Sequence, residues 1–359
     1  MFKKAGEYEK LRDGISGSIT WKSPSNIALV KYWGKKADQL PENPNLSFSL
    51  KNSYTSTSLT YNLRKKGKPV YRLYFHGKEM DSFMPKLDNF FSRITEYLPF
   101  LDYADMLIES ENTFPHSAGI ASSASSMSAL ALCLMSIYSE VSGDEMNHKE
   151  FFRRASFLAR LGSGSACRSV YPAFSSWGLN DLIHNGSDQY ATSLPVKNDS
   201  YFLGLQDAIL IVDRGEKSLS SSSGHGLMQD HPFADARYNQ ARENFSQIIY
   251  AIQTENKELF MEVTENEALS LHALMMSSVP GTLLLKPGSI EIIERIRKFR
   301  EEHQLFICYT IDAGPNIHVL YHRDDRNHVE KFLDKNLRKY CQDGMIIFDG
   351  IGNGPEKIS

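Results

Sequence analysis

A run of small and hydroxyl-bearing residues leads directly into a helical pattern between Glu111 and Ser126, where the chain reads ENTFPHSAGIASSASS. The first backbone N–H groups of such a helix have no partner within it, so they are available to an anion. Gly119 lets the backbone approach a ligand closely, and Ser122, Ser123 and Ser125 could donate hydroxyls to phosphate or coordinate a magnesium ion. The segment predicts a phosphate site at a helix N-terminus, although a Ser-rich helix start that only caps itself has the same composition.

The spacing of apolar residues predicts a mixture of helices and strands without internal repeats, which is an α+β fold. An amphipathic helix is predicted from Phe83 to Leu98, and a hairpin between Tyr54 and Phe75 with its turn at Lys65–Lys68. Further helices are predicted from 122–126 onward and over 149–161, 233–254 and 288–301, and strands over 208–213, 305–311 and 317–321. With 359 residues and roughly 150 residues per domain, we expect about two domains divided near Asn198–Leu203.

The balance of charge limits the partners of this chain. It has 40 Lys and Arg against 43 Asp and Glu, and the net charge of −3 gives no bulk field for nucleic acid or an anionic membrane. Its longest nearly apolar run, Ala129 to Tyr138, is about half of a bilayer span. The N-terminal residues lack the apolar stretch of a secretory signal, and the 4 cysteines have no zinc-site or disulfide-framework spacing. We expect a cytoplasmic protein that binds neither nucleic acid nor membrane.

A second segment rich in glycine and serine, RLGSGSACRS, runs from Arg160 to Ser169. It places the hydroxyls of Ser163 and Ser165 between glycines, and Arg168 follows three residues later. Because a guanidinium is always charged and binds two oxygens at once, it matches phosphate better than a lysine would. The segment favours an oxyanion site, with a flexible surface loop as the alternative.

A basic and aromatic cluster follows a short apolar run in SPSNIALVKYWGKK, from Ser23 to Lys36. Lys31 and Lys35 lie next to Tyr32 and Trp33, a mixture that can bind single-stranded nucleic acid by stacking. Because the chain has a single patch of this kind and is slightly acidic overall, a small phosphorylated substrate is the better interpretation.

The fourth segment, YTIDAGPNIHVLY from Tyr309 to Tyr321, contains a tight turn between two strand-like runs. The turn presents the carboxylate of Asp312 at the end of a strand. An aspartate in such a turn most often accepts hydrogen bonds from its own backbone. Close to phosphate-binding groups, however, it could take a proton from a substrate hydroxyl or hold a metal.

Together these segments resemble the diphosphomevalonate decarboxylase family of the GHMP kinase superfamily. The phosphate loop of the superfamily matches Pro115 to Ala124. The decarboxylase branch is marked by NIAxxKYWGK at Asn26–Lys35, by GSGSACRS at Gly162–Ser169 and by DAGPN at Asp312–Asn316. Weaker similarity at KSLSSSSGHGLM (217–228) and SLHALMM (270–276) extends the match over roughly residues 18 to 355.

The resemblance implies a two-domain GHMP kinase-like fold. Residues 1–200 would form an N-terminal domain with a left-handed βαβ crossover, and residues 201–359 a ferredoxin-like C-terminal domain, with the active-site cleft between them. It also implies a reaction: ATP, with magnesium, phosphorylates the tertiary hydroxyl of mevalonate 5-diphosphate, and loss of that phosphate with carbon dioxide yields isopentenyl diphosphate. The expected partners are therefore small molecules, and a homodimer is common among such proteins.

The resemblance assigns a role to each motif residue. Asp312 would act as the base on the tertiary hydroxyl, with Lys31 as its charge partner. The substrate would be held by Arg168, Ser163, Ser165, Tyr32 and Lys35. The ATP phosphates would be bound by Pro115, Gly119, Ser122, Ser123 and Ser125, with Lys217 and Ser221 closing over the nucleotide and Ser122 or Ser123 reaching magnesium.

The chain departs from the family pattern at three places. Pro172-Ala173 follows Tyr171 where paired glycines are usual, Ser125-Ser126 replaces Ala-Gly, and Asn43–Ser47 replaces a more usual Asn-Ser-Ser. These departures leave a monophosphate substrate open as an alternative to the diphosphate. A related small-molecule kinase and a non-catalytic ligand sensor are the other readings of the same phosphate loop.

Overall fold

The structure is a computed structural model that describes residues 2, 15–36, 39–64, 70–115, 120–215 and 221–359. Its strands are β1 (Ser16–Val30), β2 (Asn45–Leu63), β3 (Tyr71–Phe75), β4 (Lys78–Glu79), β5 (Ala104–Asn112), β6 (Phe174–Trp177), β7 (Thr192–Ser193), β8 (Leu205–Leu210), β9 (Ile307–Thr310), β10 (Ile317–His322), β11 (Ile346–Gly350) and β12 (Glu356–Lys357). Its α-helices are α1 (Met84–Ile94), α2 (Ser122–Ser142), α3 (His148–Gly162), α4 (Ser221–Gly226), α5 (Ala234–Thr254), α6 (Lys257–Ser277), α7 (Pro287–His303) and α8 (Arg326–Phe332).

The first sheet has eight strands in the order β12-β1-β2-β5-β3-β4, with β6 beside β2 and β7 beside β6. Its centre is the long antiparallel pair β1 and β2, whose register shifts between Pro24 and Asn26. This irregularity separates Ile19 and Trp21, which pack in a core with α1, α2 and α3, from Ile27, which enters a second core. The sheet thereby serves both halves of the molecule.

Helix α2 occupies the centre of the first core and is buried on almost every side. Among the described residues it is the helix long and apolar enough to cross a membrane, and 78% of its apolar window is buried inside the fold. Burial of that kind is typical of the core helix of a folded domain.

The second sheet is antiparallel, with the strand order β11-β8-β10-β9. Taken in chain order this is the 4-1-3-2 arrangement of a ferredoxin-like domain, as expected. Helices α7 and α8 cover one face, where Tyr309 and Val319 are buried. The other face packs against α5, α6 and the ends of β1 and β2, so Lys31 after β1 and Asp312 after β9 come to the same place.

The predicted hairpin between Tyr54 and Phe75 is wrong. Its two strands exist, but β5 lies between them, and β3 pairs with β5 in parallel. A parallel pair needs a crossover, and α1 supplies it while burying Leu87, Phe90 and Ile94. The predicted turn at Lys65–Lys68 lies outside the described residues.

Other predicted elements are confirmed to within a few residues: α1, α2, α3, α5, α7, β8, β9 and β10. Helix α6 was not predicted. It buries Thr264, Glu265, Glu267 and His272 together with its apolar residues, so its sequence carries no clean apolar stripe.

Candidate active site

The site is built around the ammonium group of Lys31, which is buried just beyond the end of β1. Its Nζ donates hydrogen bonds of 2.8 Å to the carbonyl of Ala28, to Oγ1 of Thr310 and to Oδ1 of Asp312. Three acceptors match the three donors of an ammonium group, so the orientation of Lys31 is determined. The side chain of Asp312 is 27% exposed. The pair therefore lies at the edge of the interior, and the Asp312 carboxylate can be reached from outside.

The main chain of this pair is anchored as well. The backbone N–H of Lys31 donates to the carboxylate of Glu267 at 2.8 Å, and Nε2 of His272 donates to the carbonyl of Asp312 at 3.1 Å. Burial lowers the pKa of His272 to about 4. At neutral pH it is therefore an uncharged donor.

Arg168 is the second cation of the site and lies in a short 3₁₀ helix, Gly164–Val170. Its side chain is buried, with Nε 3.3 Å from Oδ1 of Asn26 and Nη1 donating to Oδ1 of Asn45. Burial lowers the pKa of Arg168, and nearby negative groups including Asp312 oppose this effect. An arginine stays charged even so, and a buried cation held by two neutral amides is well suited to an anionic ligand.

Tyr32 and Lys35 follow Lys31 in the segment after β1. The Tyr32 ring packs against the rings of Trp177 and of His225 in α4, with distances between ring centroids of 4.7 Å and 4.2 Å. Burial raises the pKa of the Tyr32 hydroxyl, so Tyr32 remains a neutral donor. Burial and the neighbouring Arg93 lower the pKa of Lys35. These shifts place Tyr32 and Lys35 in a partly dry, cationic environment.

The position of Tyr32 depends on the absence of a side chain at Gly164. A Cβ there would lie 2.8 Å from Cε1 of Tyr32 and 3.0 Å from Trp177. We expect Gly164→Ala to displace Tyr32 and lower kcat/KM about tenfold, because displacement of a substrate-positioning group by about 1 Å can cost up to about a hundredfold in rate. Steady-state kinetics would measure this. Gly226→Ala is the control, since a Cβ at Gly226 meets nothing within 4 Å. Equal kinetics for the two variants would contradict the role given to Tyr32.

The structure brings the glycine–serine segment and the start of α2 together. The Oγ atoms of Ser163 and Ser123 are 3.5 Å apart, and the carbonyl of Ser165 accepts a hydrogen bond from Asn26. Ala121, which precedes α2, makes no side-chain capping hydrogen bond and has a φ of 45°. The start of α2 therefore lies beside the hydroxyl of Ser163 in the glycine–serine segment.

Ser125 is placed differently from the other hydroxyls of this segment. It is fully buried, and its Oγ lies 2.6 Å from that of Thr55 and donates to the carbonyl of Ser122. This position ties α2 to β2 and argues against direct contact of Ser125 with a nucleotide.

An apolar cavity of about 110 Å³ opens beside the start of α2. It is lined on one side by Leu73, Phe75 and Ile108, and on the other by Ser122, Ser123 and Met127. Lys86 of α1 also lines it. A flat aromatic group would fit between these apolar side chains with its polar substituents near the helix start.

Some predicted nucleotide contacts fall outside the described part of the chain. Gly119, Lys217 and the side chain of Ser221 lie outside it, although the backbone of Ser221 begins α4. Pro115 is half-buried after β5. Within the described residues there is no group of three His, Cys, Asp or Glu side chains that could hold a metal. The start of α2 with its serine hydroxyls is therefore the part of the site that could receive magnesium together with a phosphate.

Several residues of the site were not singled out from the sequence. Asn26 and Thr310 lie inside motifs already recognised, and His225 and His272 lie in the two weaker similarities, so a signal existed for each. Asn45 belongs to one of the departures from the family pattern. Glu267 carried no signal.

The Pro172-Ala173 departure lies against the C-terminal segment of the chain. The backbone of Ala173 has a φ of 47°, a conformation that favours glycine, and its N–H donates to the carbonyl of Gly352. Gly354 approaches Pro172 so closely that a Cβ would lie 2.9 Å from its nitrogen. The departure is accommodated by packing between the two halves of the chain.

Comparison with known proteins gives one consistent result. Residues 23–191 match the family model described as the diphosphomevalonate decarboxylase-like N-terminal domain, and residues 208–351 match the mevalonate 5-diphosphate decarboxylase C-terminal domain. The diphosphomevalonate decarboxylase of Bos taurus is 30% identical over 327 residues, which cover 86% of this chain and 77% of that protein. The enzyme of Candida albicans is 29% identical over 96% of this chain and 98% of its own.

Solved structures agree with the sequence comparison. The mevalonate diphosphate decarboxylase of Staphylococcus aureus has a TM-score of 0.81 at 26% identity, covering 96% of this chain and 99% of its own. A complex of MDDEF with MVAPP, AMPPCP and magnesium has a TM-score of 0.80 at 27% identity, covering 96% of this chain and 100% of its own. The two-domain α+β architecture predicted from the sequence is therefore confirmed.

Proposed function

This chain belongs to the diphosphomevalonate decarboxylase family, and on that premise we propose that it catalyses the ATP-dependent decarboxylation of mevalonate 5-diphosphate to isopentenyl diphosphate. The observation that carries the proposal is the Lys31–Asp312 ion pair near the buried cation of Arg168, whose glycine–serine segment lies beside the start of α2. A carboxylate held beside an ammonium can accept a proton, and the surrounding cations can hold a substrate that carries several negative charges.

The first chemical step is phosphoryl transfer to the tertiary hydroxyl. Asp312 accepts the hydroxyl proton as the oxygen attacks the γ-phosphorus of ATP, and ADP leaves. Lys31, 2.8 Å from Asp312, stabilises the negative charge of the carboxylate and of the transferring group. Magnesium bound with ATP would neutralise part of the phosphate charge, with the hydroxyls of Ser122 or Ser123 as its nearest protein ligands.

The second step needs no electron-sink cofactor. The C–O bond to the new phosphate breaks, inorganic phosphate leaves with the electron pair, and the tertiary carbon acquires carbocation character. The C–C bond to the carboxylate then breaks, its electrons form the carbon–carbon double bond, and carbon dioxide leaves. The chain has to exclude water and hold the anions in place, which suits the buried side chain of Arg168 and the half-buried side chain of Tyr32.

The substrate anions are divided among the remaining residues. Arg168, together with Ser163 and Ser165 of the same segment, holds the carboxylate and phosphate oxygens, and Tyr32 and Lys35 contact the diphosphate. The nucleotide phosphates lie at the start of α2, and the base enters the apolar cavity beside it. Three predicted contacts, Gly119, Lys217 and the Ser221 hydroxyl, stay predictions.

The domain division at residues 200 and 201 is part of the same proposal. The two separate sheets support it, since β8 begins the second sheet at Leu205. At the C-terminal end, however, β12 pairs with β1 and so belongs to the first sheet. A cytoplasmic location and a homodimer stay predictions.

The deciding experiment measures ADP and carbon dioxide released by the purified protein with magnesium-ATP and each mevalonate phosphate in turn. We expect one carbon dioxide per ADP and a higher kcat/KM for the 5-diphosphate than for the 5-monophosphate. A set of cations such as Lys35 and Arg168 leaves donors unpaired when the second phosphate is missing. ADP without carbon dioxide would identify a kinase. Ligand-dependent thermal shifts without turnover would identify a sensor.

A further inference from the structure

Helix α6 contacts both halves of the Lys31–Asp312 pair, although neither residue belongs to it. Lys31 follows β1 of the first sheet, and Asp312 follows β9 of the second, so the pair joins segments 281 residues apart. Helix α6 packs against both β1 and β9. It reaches the backbone of Lys31 through Glu267 and that of Asp312 through His272.

The carboxylate of Glu267 is fully buried and fully used within the protein. Besides the N–H of Lys31, it accepts hydrogen bonds from both terminal nitrogens of Arg237 at 2.7 and 2.5 Å, and from Nδ2 of Asn244 at 2.7 Å. A buried ion pair costs desolvation free energy and is weak evidence for stabilisation by itself. Its geometric effect is clear, however, because the carboxylate cannot move without breaking four hydrogen bonds.

His272 supplies the second anchor, five residues further along the same helix. Five residues correspond to about 7.5 Å of helix, a distance that the helical backbone keeps constant. The ring is buried and donates to the carbonyl of Asp312, which acts as an acceptor only. Helix α6 thus holds the main chain of the base and the main chain of its charge partner at a constant separation.

We propose that Glu267 and His272 are positioning residues that keep the Lys31 ammonium and the Asp312 carboxylate in reacting geometry across the two sheets. This inference rests on the proposed function for its kinetic consequences. Substrate and nucleotide bring several negative charges close to Lys31, and these compete with Asp312 for it. Anchoring both main chains opposes that competition, and misplacement of a reacting group by about 1 Å can cost about a hundredfold in rate.

The test compares Glu267→Gln with Glu265→Gln. Glu265 lies on the same helix, is also buried, and pairs with Arg300 at 2.5 Å rather than with Lys31. Both variants remove one carboxylate charge from α6, so both report general destabilisation. We expect Glu267→Gln to lower kcat 10- to 100-fold, with KM for both substrates within threefold of the wild-type values. We expect Glu265→Gln to have a kcat within threefold of the wild-type value. Equal losses of kcat in the two variants, or a loss confined to KM, would overturn the proposal.

His272 is tested by conservative rescue. His272→Gln keeps an N–H donor that can reach the Asp312 carbonyl, whereas His272→Leu has none. We expect kcat to fall at least tenfold in His272→Leu. In His272→Gln we expect the decrease in log kcat to be half as large or smaller. Similar kcat values for the two variants would show that His272 only fills space.

A readout independent of turnover separates this proposal from the proposed function. Lys31 is buried, and its side chain is 3% exposed. Acylation of Lys31 by acetic anhydride, followed by mass spectrometry, should be at least threefold faster in Glu267→Gln than in Glu265→Gln. If Glu267→Gln fails to fold, the double variant Arg237→Gln/Glu267→Gln removes both buried charges and is measured instead. Unchanged acylation would overturn the positioning role, whereas wild-type protein that releases no carbon dioxide would overturn only the proposed function.

Discussion

Asp312→Asn is expected to lower kcat by about 10² to 10⁴, while the protein keeps its fold and its affinity for ATP. The asparagine amide oxygen can still accept the hydrogen bond from Nζ of Lys31, which is 2.8 Å from Oδ1 in the wild type. His272 can still donate to the carbonyl of residue 312. What is lost is a group able to accept the hydroxyl proton, and loss of general base catalysis typically has this magnitude.

The measurement is single-turnover formation of ADP, with nucleotide affinity determined separately by titration. Asp334→Asn is the control, because Asp334 pairs with Arg338 on the protein surface, just beyond the end of α8. If Asp312→Asn turns over at the wild-type rate, the assignment of the base is wrong. If Asp312→Asn loses both turnover and ATP binding, the main role of Asp312 is to maintain the geometry of the site and not to accept the proton.

Arg168→Lys is expected to weaken transition-state stabilisation by roughly 1.5 to 3 kcal/mol, the range for hydrogen bonds to charged groups, and to lower kcat/KM accordingly. The guanidinium reaches Asn26 with Nε and Asn45 with Nη1, and a lysine ammonium cannot reproduce this planar arrangement. Two buried amide oxygens would lose their donor, and the bidentate contact to the substrate anion would become a single point charge.

Initial-rate kinetics for both substrates would measure this effect. Arg300→Lys is the matched control, because Arg300 is partly buried and pairs with Glu265 away from Lys31 and Asp312. We expect the control to change kcat/KM less than threefold. A change of that small size in Arg168→Lys would mean that the GSGSACRS segment binds the substrate through its serines and backbone alone.

Local patterns in the sequence were sufficient for most elements of the fold. The apolar spacing Leu87, Phe90, Phe91 and Ile94 predicted α1, and all four side chains are buried. The reason is that helical periodicity depends on residues within one or two turns of each other, and the chain contains that information locally. The motif strings likewise contain Lys31, Arg168 and Asp312, which the fold brings close together.

Long-range packing decided the rest, because it depends on residues that no local window contains. β3 could pair with β2 by sequence, but burial of α1 over the sheet placed β5 between them. Ser125 has the same hydroxyl as Ser123, yet the orientation of α2 turns it toward Thr55 in the interior. Glu267 lies in a helix without a clean apolar stripe, and only the meeting of two sheets gives it Lys31 as a partner. The sequence by itself determined which chemical groups the protein has and most of its helices and strands, whereas the tertiary structure decided which groups face the substrate and which hold them in place.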